Sequence, residues 1–193
     1  MPKPTAAKAK PAAVVPVPPA ANFRSLVPGG FFSAAPFDLG VKRSIRTNNP
    51  GALNVTAWQK KFPGYVGFTA ADGGGNKTTI YVTPEHGIAA WHHLFTDTYH
   101  YGETGSFTLG ALAHKYAGPT STDAAAQAYI RGWNHFADDE LTADSAFALD
   151  DDADMLRLAH AMFGHEAARH TPLKDEQILT ALALKRSGTL PME

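Results

Sequence analysis

Apolar residues recur at helical spacing in several stretches of this chain, and the sharpest is Met155, Leu158, Ala159, Met162 and Phe163, at i, i+3, i+4, i+7 and i+8. Asp150, Asp151, Asp152 and Asp154 precede that stripe, and acidic residues there favour a helix N-terminus. A second stripe, Ile88, Trp91, Phe95 and Tyr99, follows Thr83-Pro84, which supplies an N-cap and a first-turn proline. The same spacing predicts helices over residues 107–117, 122–136, 152–166 and 173–186, the last with Ile178, Leu179 and Leu182 inward. Two β-prone runs, Tyr65-Val66-Gly67-Phe68 and Thr78-Thr79-Ile80-Tyr81-Val82, flank Asp72-Gly73-Gly74-Gly75-Asn76 and predict a small hairpin. Arg43 to Asn54, punctuated by Asn49-Pro50-Gly51, reads as a loop. The expected fold is mainly α (α+β), one domain over residues 41–193 with a single hairpin and no internal repeat.

Residues 1–40 break the pattern. This Pro/Ala-rich lead with scattered lysines is expected to be a flexible, disordered or polyproline-like segment. Prolines at 11, 16, 18 and 19 interrupt its apolar stretch, so it matches neither a signal-peptide core nor a membrane span. A protein of this kind acting outside the cytoplasm would need delivery by another route.

Composition excludes several functions. Lys+Arg 17 against Asp+Glu 18 gives a net charge of -1, which leaves no footprint for nucleic acid. The absence of cysteine removes disulfides, thiolate metal sites and a cysteine nucleophile, and fits either redox compartment. No Gly-x-Ser-x-Gly elbow occurs, and Gly73-Gly74-Gly75 leads into a strand where a phosphate cradle needs a helix.

The candidate chemistry centres on Glu166. Counted from Met155, it lies three turns on along the same apolar face, provided the helix continues through Gly164. A carboxyl buried there, near a helix C-terminus, has its charged form disfavoured twice over. It would stay protonated near neutral pH, as a general acid must. Histidine competes, since nine are present, but His165 and His170 are five apart, which turns the rings roughly 140° from one another on a helix. His86 and His93 could share a face, with His92 beside them, yet two turns separate them and a third ligand is missing. No metal or other cofactor is expected. Tyr116 and Tyr129 each carry an apolar body and a hydroxyl that takes a partner when buried, and by themselves read as core residues.

Several segments together resemble the lysozyme-like superfamily, specifically soluble lytic transglycosylases and goose-type lysozymes, in permuted order. Asn49-Pro50-Gly51-Ala52-Leu53-Asn54 is similar to the family's Gly-Leu-Met-Gln segment, and Thr83-Pro84-Glu85-His86-Gly87-Ile88 to its Asp-Pro-Glu-x-Asn-Ile helix start. Lys115-Tyr116-Ala117-Gly118-Pro119 resembles Tyr-Asn-x-Gly-Pro, and Ala128-Tyr129-Ile130 resembles Asn-Tyr-Val. The family's catalytic glutamate precedes these segments, whereas the matching His165-Glu166 here follows them. Phage virion and secreted-effector proteins that open with Arg-Gly-Ile-Arg-Asn-Asn-Asn-Pro-Gly-Asn and finish with His-Glu-Asn-Gly are also similar, through Arg43 to Ala52 and His165 to Ala168. The similarity covers roughly residues 42–186. Ser44, Ala117 and Ala167 depart from it, standing where the family has Gly, Asn, and Ser or Asn.

The resemblance implies a lysozyme-like fold and cleavage of the β-1,4 bond between N-acetylmuramic acid and N-acetylglucosamine in peptidoglycan. Glu166 would be the general acid, with Tyr129, Tyr116, Asn54, Asn49 and His165 contacting substrate or the glutamate. A two-carboxylate hydrolase needs a partner acid, for which Asp72 at the hairpin tip is the first candidate and Glu85 the second. With one carboxylate the outcome is a lytic transglycosylase and a 1,6-anhydro sugar. The expected partner is the glycan strand; an antibacterial effector would also need an inhibitor or immunity protein in its producer, and a delivery apparatus or virion to reach the wall. The alternatives are a non-catalytic module of a virion or secretion apparatus, and a zinc hydrolase.

Overall fold

The computed structural model describes residues 42–190, so the lead at 1–40 lies outside the described residues. The described chain is about 50% helical with small antiparallel β elements, the mainly α class that the pattern predicts. The first helix, α1 (Arg43–Arg46), is followed by the hairpin β1 (Tyr65–Phe68) and β2 (Thr79–Tyr81), then α2 (Pro84–His93). The remainder is β3 (Ser106–Thr108), α3 (Leu109–Ala117), α4 (Asp123–Asn134), β4 (Ala146–Ala148), α5 (Asp152–Ala167) and α6 (Asp175–Ser187). Among the described residues no helix is long and apolar enough to cross a membrane.

Helix starts follow local chemistry. Thr83, Thr108, Thr122 and Asp151 each accept a backbone N–H in the first turn of the helix they precede, satisfying donors that have no partner within the helix. The predicted stripe of α5 is buried throughout: Met155, Leu158, Ala159, Met162 and Phe163 all face one continuous core. That helix touches α1, α4, α6 and β4, so it runs through the middle of the fold. Burying a side chain such as Phe163 stabilises the fold by about 1.5–3 kcal/mol. Trp91 packs edge-on to both Phe163 and Phe95, at centroid distances of 4.9 and 4.7 Å, tying α2 to α5.

Gly164 does not end α5. A Cβ at this position would lie 2.7 Å from Cβ of Phe136, so the glycine admits the segment that follows α4 against the helix. The helix continues to Ala167 and stops at Ala168, in the left-handed region at φ 52°. Glu166 therefore stays in helical register, one residue before the end.

Three features depart from the sequence expectation. Arg43–Arg46 is a short helix where a loop is expected, and its Ile45 and Arg46 are buried. Four residues are too few to be helical alone, so packing on α5 supplies the stability. The helix expected to carry Tyr99 ends as α at His93 and continues as a π turn, Leu94–Thr98, closed by Tyr99 N–H donating to the Leu94 carbonyl at 2.8 Å. A second ladder, β3 with β4, pairs Phe107 with Phe147. Each of its strands has three residues with one apolar side chain inward, too short for a period to register.

The hairpin forms where expected, with Tyr65 opposite Tyr81 and Phe68 opposite Thr79. Its base is fixed to the loop after α1. Asn49 donates through Nδ2 to the carbonyls of Leu53 and Thr79, both at 2.9 Å, and its Oδ1 accepts from Leu53 N–H at 3.0 Å. Asn48, at φ 52°, donates to the Tyr81 and Val82 carbonyls.

Candidate active site

A groove of about 490 Å³ runs between the hairpin side of the fold and the C-terminal ends of α3 and α5, with the middle of α4 beside them. Arg43, Asn54, Trp58, Gln59, Asn76, Thr98, Tyr99, Tyr116, Tyr129 and Glu166 are among the residues that line it. Glu166 is the one acid and Arg43 the one cation among those lining residues. Apart from the aliphatic Ala52, Leu53 and Leu94, the rest of the wall is aromatic, amide and hydroxyl, the chemistry that stacks on sugar faces and hydrogen-bonds to their hydroxyls.

α5 delivers Glu166 to this wall through its buried face. Most of the side chain is removed from water, with part of its surface open on the groove. Desolvation raises the carboxyl from the ordinary 4.5 to about 7, against smaller opposing effects from the Tyr116 hydroxyl and the Arg43 charge. Near neutral pH the group is thus poised between acid and base.

Tyr116 comes from the last turn of α3. Its hydroxyl donates to the Gly51 carbonyl at 2.6 Å and lies 3.5 Å from Oε1 of Glu166. Burial, then the Glu166 charge, hold the phenol well above its usual range. Tyr129 from α4 meets Tyr116 edge-on at a centroid distance of 5.3 Å, and Trp133 packs behind both at 5.6 and 5.5 Å. Burial and the Glu166 charge raise Tyr129 as well. Both phenols are therefore neutral donors across the range in which Glu166 titrates.

The structure brings Glu166, Tyr116, Tyr129 and Asn54 to the same groove. Asn49, expected to meet substrate, is instead 0% exposed, and its amide is occupied by the hairpin and its own loop. Its place in the fold is structural, since it shapes the loop whose Gly51 carbonyl receives Tyr116. His165 also misses the groove lining. Its imidazole fills the space of an absent Cβ at Gly132, where that atom would lie 2.5 Å from Cε1, and it meets Tyr129 at a centroid distance of 6.2 Å. It backs Tyr129, and burial lowers its pKa.

Neither candidate partner acid is among the residues lining the groove. Asp72 bonds Nη2 of Arg43 at 2.6 Å and accepts the backbone N–H groups of Gly74 and Asn76 through Oδ1. Those bonds, led by Arg43, lower its pKa, and it is absent from the groove lining. Glu85 is buried in the first turn of α2, away from the groove lining. Among the described residues, no three His, Asp or Glu side chains converge to hold a metal ion. His86 pairs through Nδ1 with the Thr83 hydroxyl at 2.9 Å, and the His93 ring packs at a tilt against Trp58 and Phe62.

The sequence expectation omits Arg43, Trp58, Asn76, Thr98 and Tyr99 from the site. The π turn was the missing signal for the last two. A regular α-turn would carry Tyr99 on with Phe95 into the core, whereas the wider turn leaves Phe95 buried and brings Thr98 and Tyr99 to the groove. No protein-family model matches this chain, and no curated protein matches it either.

Proposed function

We propose that the protein is a peptidoglycan-cleaving glycosidase that acts on the bond between N-acetylmuramic acid and N-acetylglucosamine by the lytic transglycosylase route. One observation carries this reading. A carboxyl with a pKa of about 7 is, among the described residues, the only acid lining a groove rich in aromatic and amide groups and large enough for sugar rings. Inverting and retaining hydrolases need a second carboxylate within about 5–9.5 Å, and neither candidate for that role is among the residues lining the groove, Asp72 being held by Arg43.

The chemistry runs through Glu166 alone. Its protonated carboxyl gives the proton to the glycosidic oxygen as the C1–O4 bond breaks and positive charge develops on C1 and the ring oxygen. The resulting carboxylate then accepts the proton of the sugar's own C6 hydroxyl as that oxygen bonds to C1, closing a 1,6-anhydro ring. Glu166 ends protonated, ready for another cycle. Tyr129 is placed to orient the acid or the sugar as a neutral donor, Tyr116, held by Gly51, sets its neutral hydroxyl beside the acid, and Trp58, Tyr99 and Asn54 are placed to contact the glycan. The substrate locates the action in the cell wall.

Mass spectrometry of the soluble products after digestion of purified wall tests the assignment directly. Anhydro ends lost in Glu166→Gln are the expected result. Reducing ends would replace the route by hydrolysis, cut peptide stems would replace the reaction class, and wall binding without soluble products would favour a non-catalytic module. The rate should fall as pH rises through about 7, because the first step needs the protonated acid.

A further inference from the structure

We infer that Arg43 is a positioning residue: its guanidinium is a strut that fixes the hairpin tip relative to the helix carrying Glu166, and it keeps a positive charge on the groove beside that carboxyl. The inference rests on the reading of Glu166 as the reacting acid.

Arg43 opens α1, and the next residue ties that helix to the site: the Ser44 hydroxyl donates to the Glu166 main-chain carbonyl at 3.2 Å. Toward the hairpin, Arg43 makes two bonds with two different groups. Nη2 donates to Oδ2 of Asp72 at 2.6 Å, and Nη1 donates to the carbonyl of Asn76 at 3.3 Å. Asp72 is a rigid receiver, since its other oxygen accepts the Gly74 and Asn76 N–H groups at 2.9 and 2.8 Å. The tip glycines, Gly73, Gly74 and Gly75, contribute no side-chain packing, so polar contacts must hold it. Asn54 and Asn76, joined at 3.3 Å, form groove wall at this tip. The Arg43 clasp therefore sets the distance between the acid and the wall that faces it.

The charge matters separately. The groups facing Glu166 are Tyr116 from α3, Tyr129 from α4 and Arg43 from α1, with His165 beside it in α5 but turned onto Gly132. The phenols carry no charge between pH 4 and 8. Among the described residues, Arg43 opposes the desolvation of the carboxylate with a formal charge, which Asp72 partly neutralises. Lysine could keep that charge, but as a single ammonium it would not reproduce the planar two-pronged grip.

Three variants separate strut from charge: Arg43→Lys, Arg43→Met and Asp72→Asn. Two measurements need no substrate. The first is the titration of the Glu166 carboxyl followed by carbon NMR. An upward shift of the midpoint is expected in Arg43→Met, a value near wild type in Arg43→Lys, and a value at or below wild type in Asp72→Asn. The second is amide hydrogen exchange across residues 72–77, expected to be about tenfold faster in all three, as loss of one charged hydrogen bond implies. On wall substrate, Arg43→Lys should raise KM more than it lowers kcat, while the pH limb follows the NMR midpoint. An unmoved midpoint in folded Arg43→Met removes the charge role, and unchanged exchange in Arg43→Lys and Asp72→Asn removes the strut. If Arg43→Met does not fold, the other two variants still decide the strut, and an Asp72→Asn midpoint above wild type would overturn the charge role. Should wall digestion give no products at all, the proposed function fails while both of these measurements still stand.

Discussion

Replacing Glu166 by Gln keeps the size and hydrogen-bonding shape of the protonated acid while removing its ability to ionise. The folded protein holds this carboxyl at about 7, against an ordinary 4.5. The sign follows from which state binds the proton. Below pH 4.5 both folded and unfolded chains are protonated, and the favourable contribution is complete. As pH rises from 4.5 to about 7 the unfolded chain ionises first, so stability is progressively lost. That separation is worth about 3 kcal/mol, and about 2–3 once the solvent-facing part of the side chain is discounted. Glu166→Gln should therefore match wild type near pH 4.5 and exceed it by about 2–3 kcal/mol at pH 8.5, or about 4–12 °C in Tm for a chain of this size. Urea unfolding of both proteins at the two pH values measures the difference, in which every other titrating group cancels. Equal stability at both would show that the carboxyl ionises freely in the fold, and the acid role would go with it.

Tyr116→Phe removes the bond to the Gly51 carbonyl and the hydroxyl beside Oε1, with an expected cost of about 1 kcal/mol and an upward move of the Glu166 midpoint by NMR. A midpoint that stays put would mean the phenolic hydrogen serves Gly51 alone. Gly164→Ala should destabilise by about 1–3 kcal/mol despite alanine's better helix propensity, because its Cβ meets Phe136; a chemical-denaturation gain would contradict that packing. His92 is held at about 4 by burial, below the ordinary 6.5, so its contribution is full above 6.5 and lost as pH falls toward 4. His92→Gln should flatten the acid side of the stability curve by up to about 3 kcal/mol, and an unchanged acid limb would show that the imidazole is not sealed from water.

The sequence by itself determined the elements that local physics controls. The α5 stripe, the Thr83 cap and the hairpin runs depend on spacing and on side chains within a few residues, so they were legible without coordinates. The same spacing placed Glu166 on a buried face. What it left open was whether α5 passed Gly164, and only the approach of Phe136 from the α4 side answers that. The helical state of α1 and the β3–β4 ladder arise from contacts made far along the chain, and the π turn at Leu94 is a local widening of the helix, none of which a local period records. Tertiary structure also sorted residues that share a motif. Asn49 and Asn54 lie five positions apart in one loop, yet the first is sealed under the hairpin and the second borders the groove. Asp72 had the right chemistry for a second acid, and Arg43, twenty-nine residues earlier, claims it. Spacing along a chain sets which face a side chain takes on its own element; which charge it meets across the fold is decided only when distant segments are brought together.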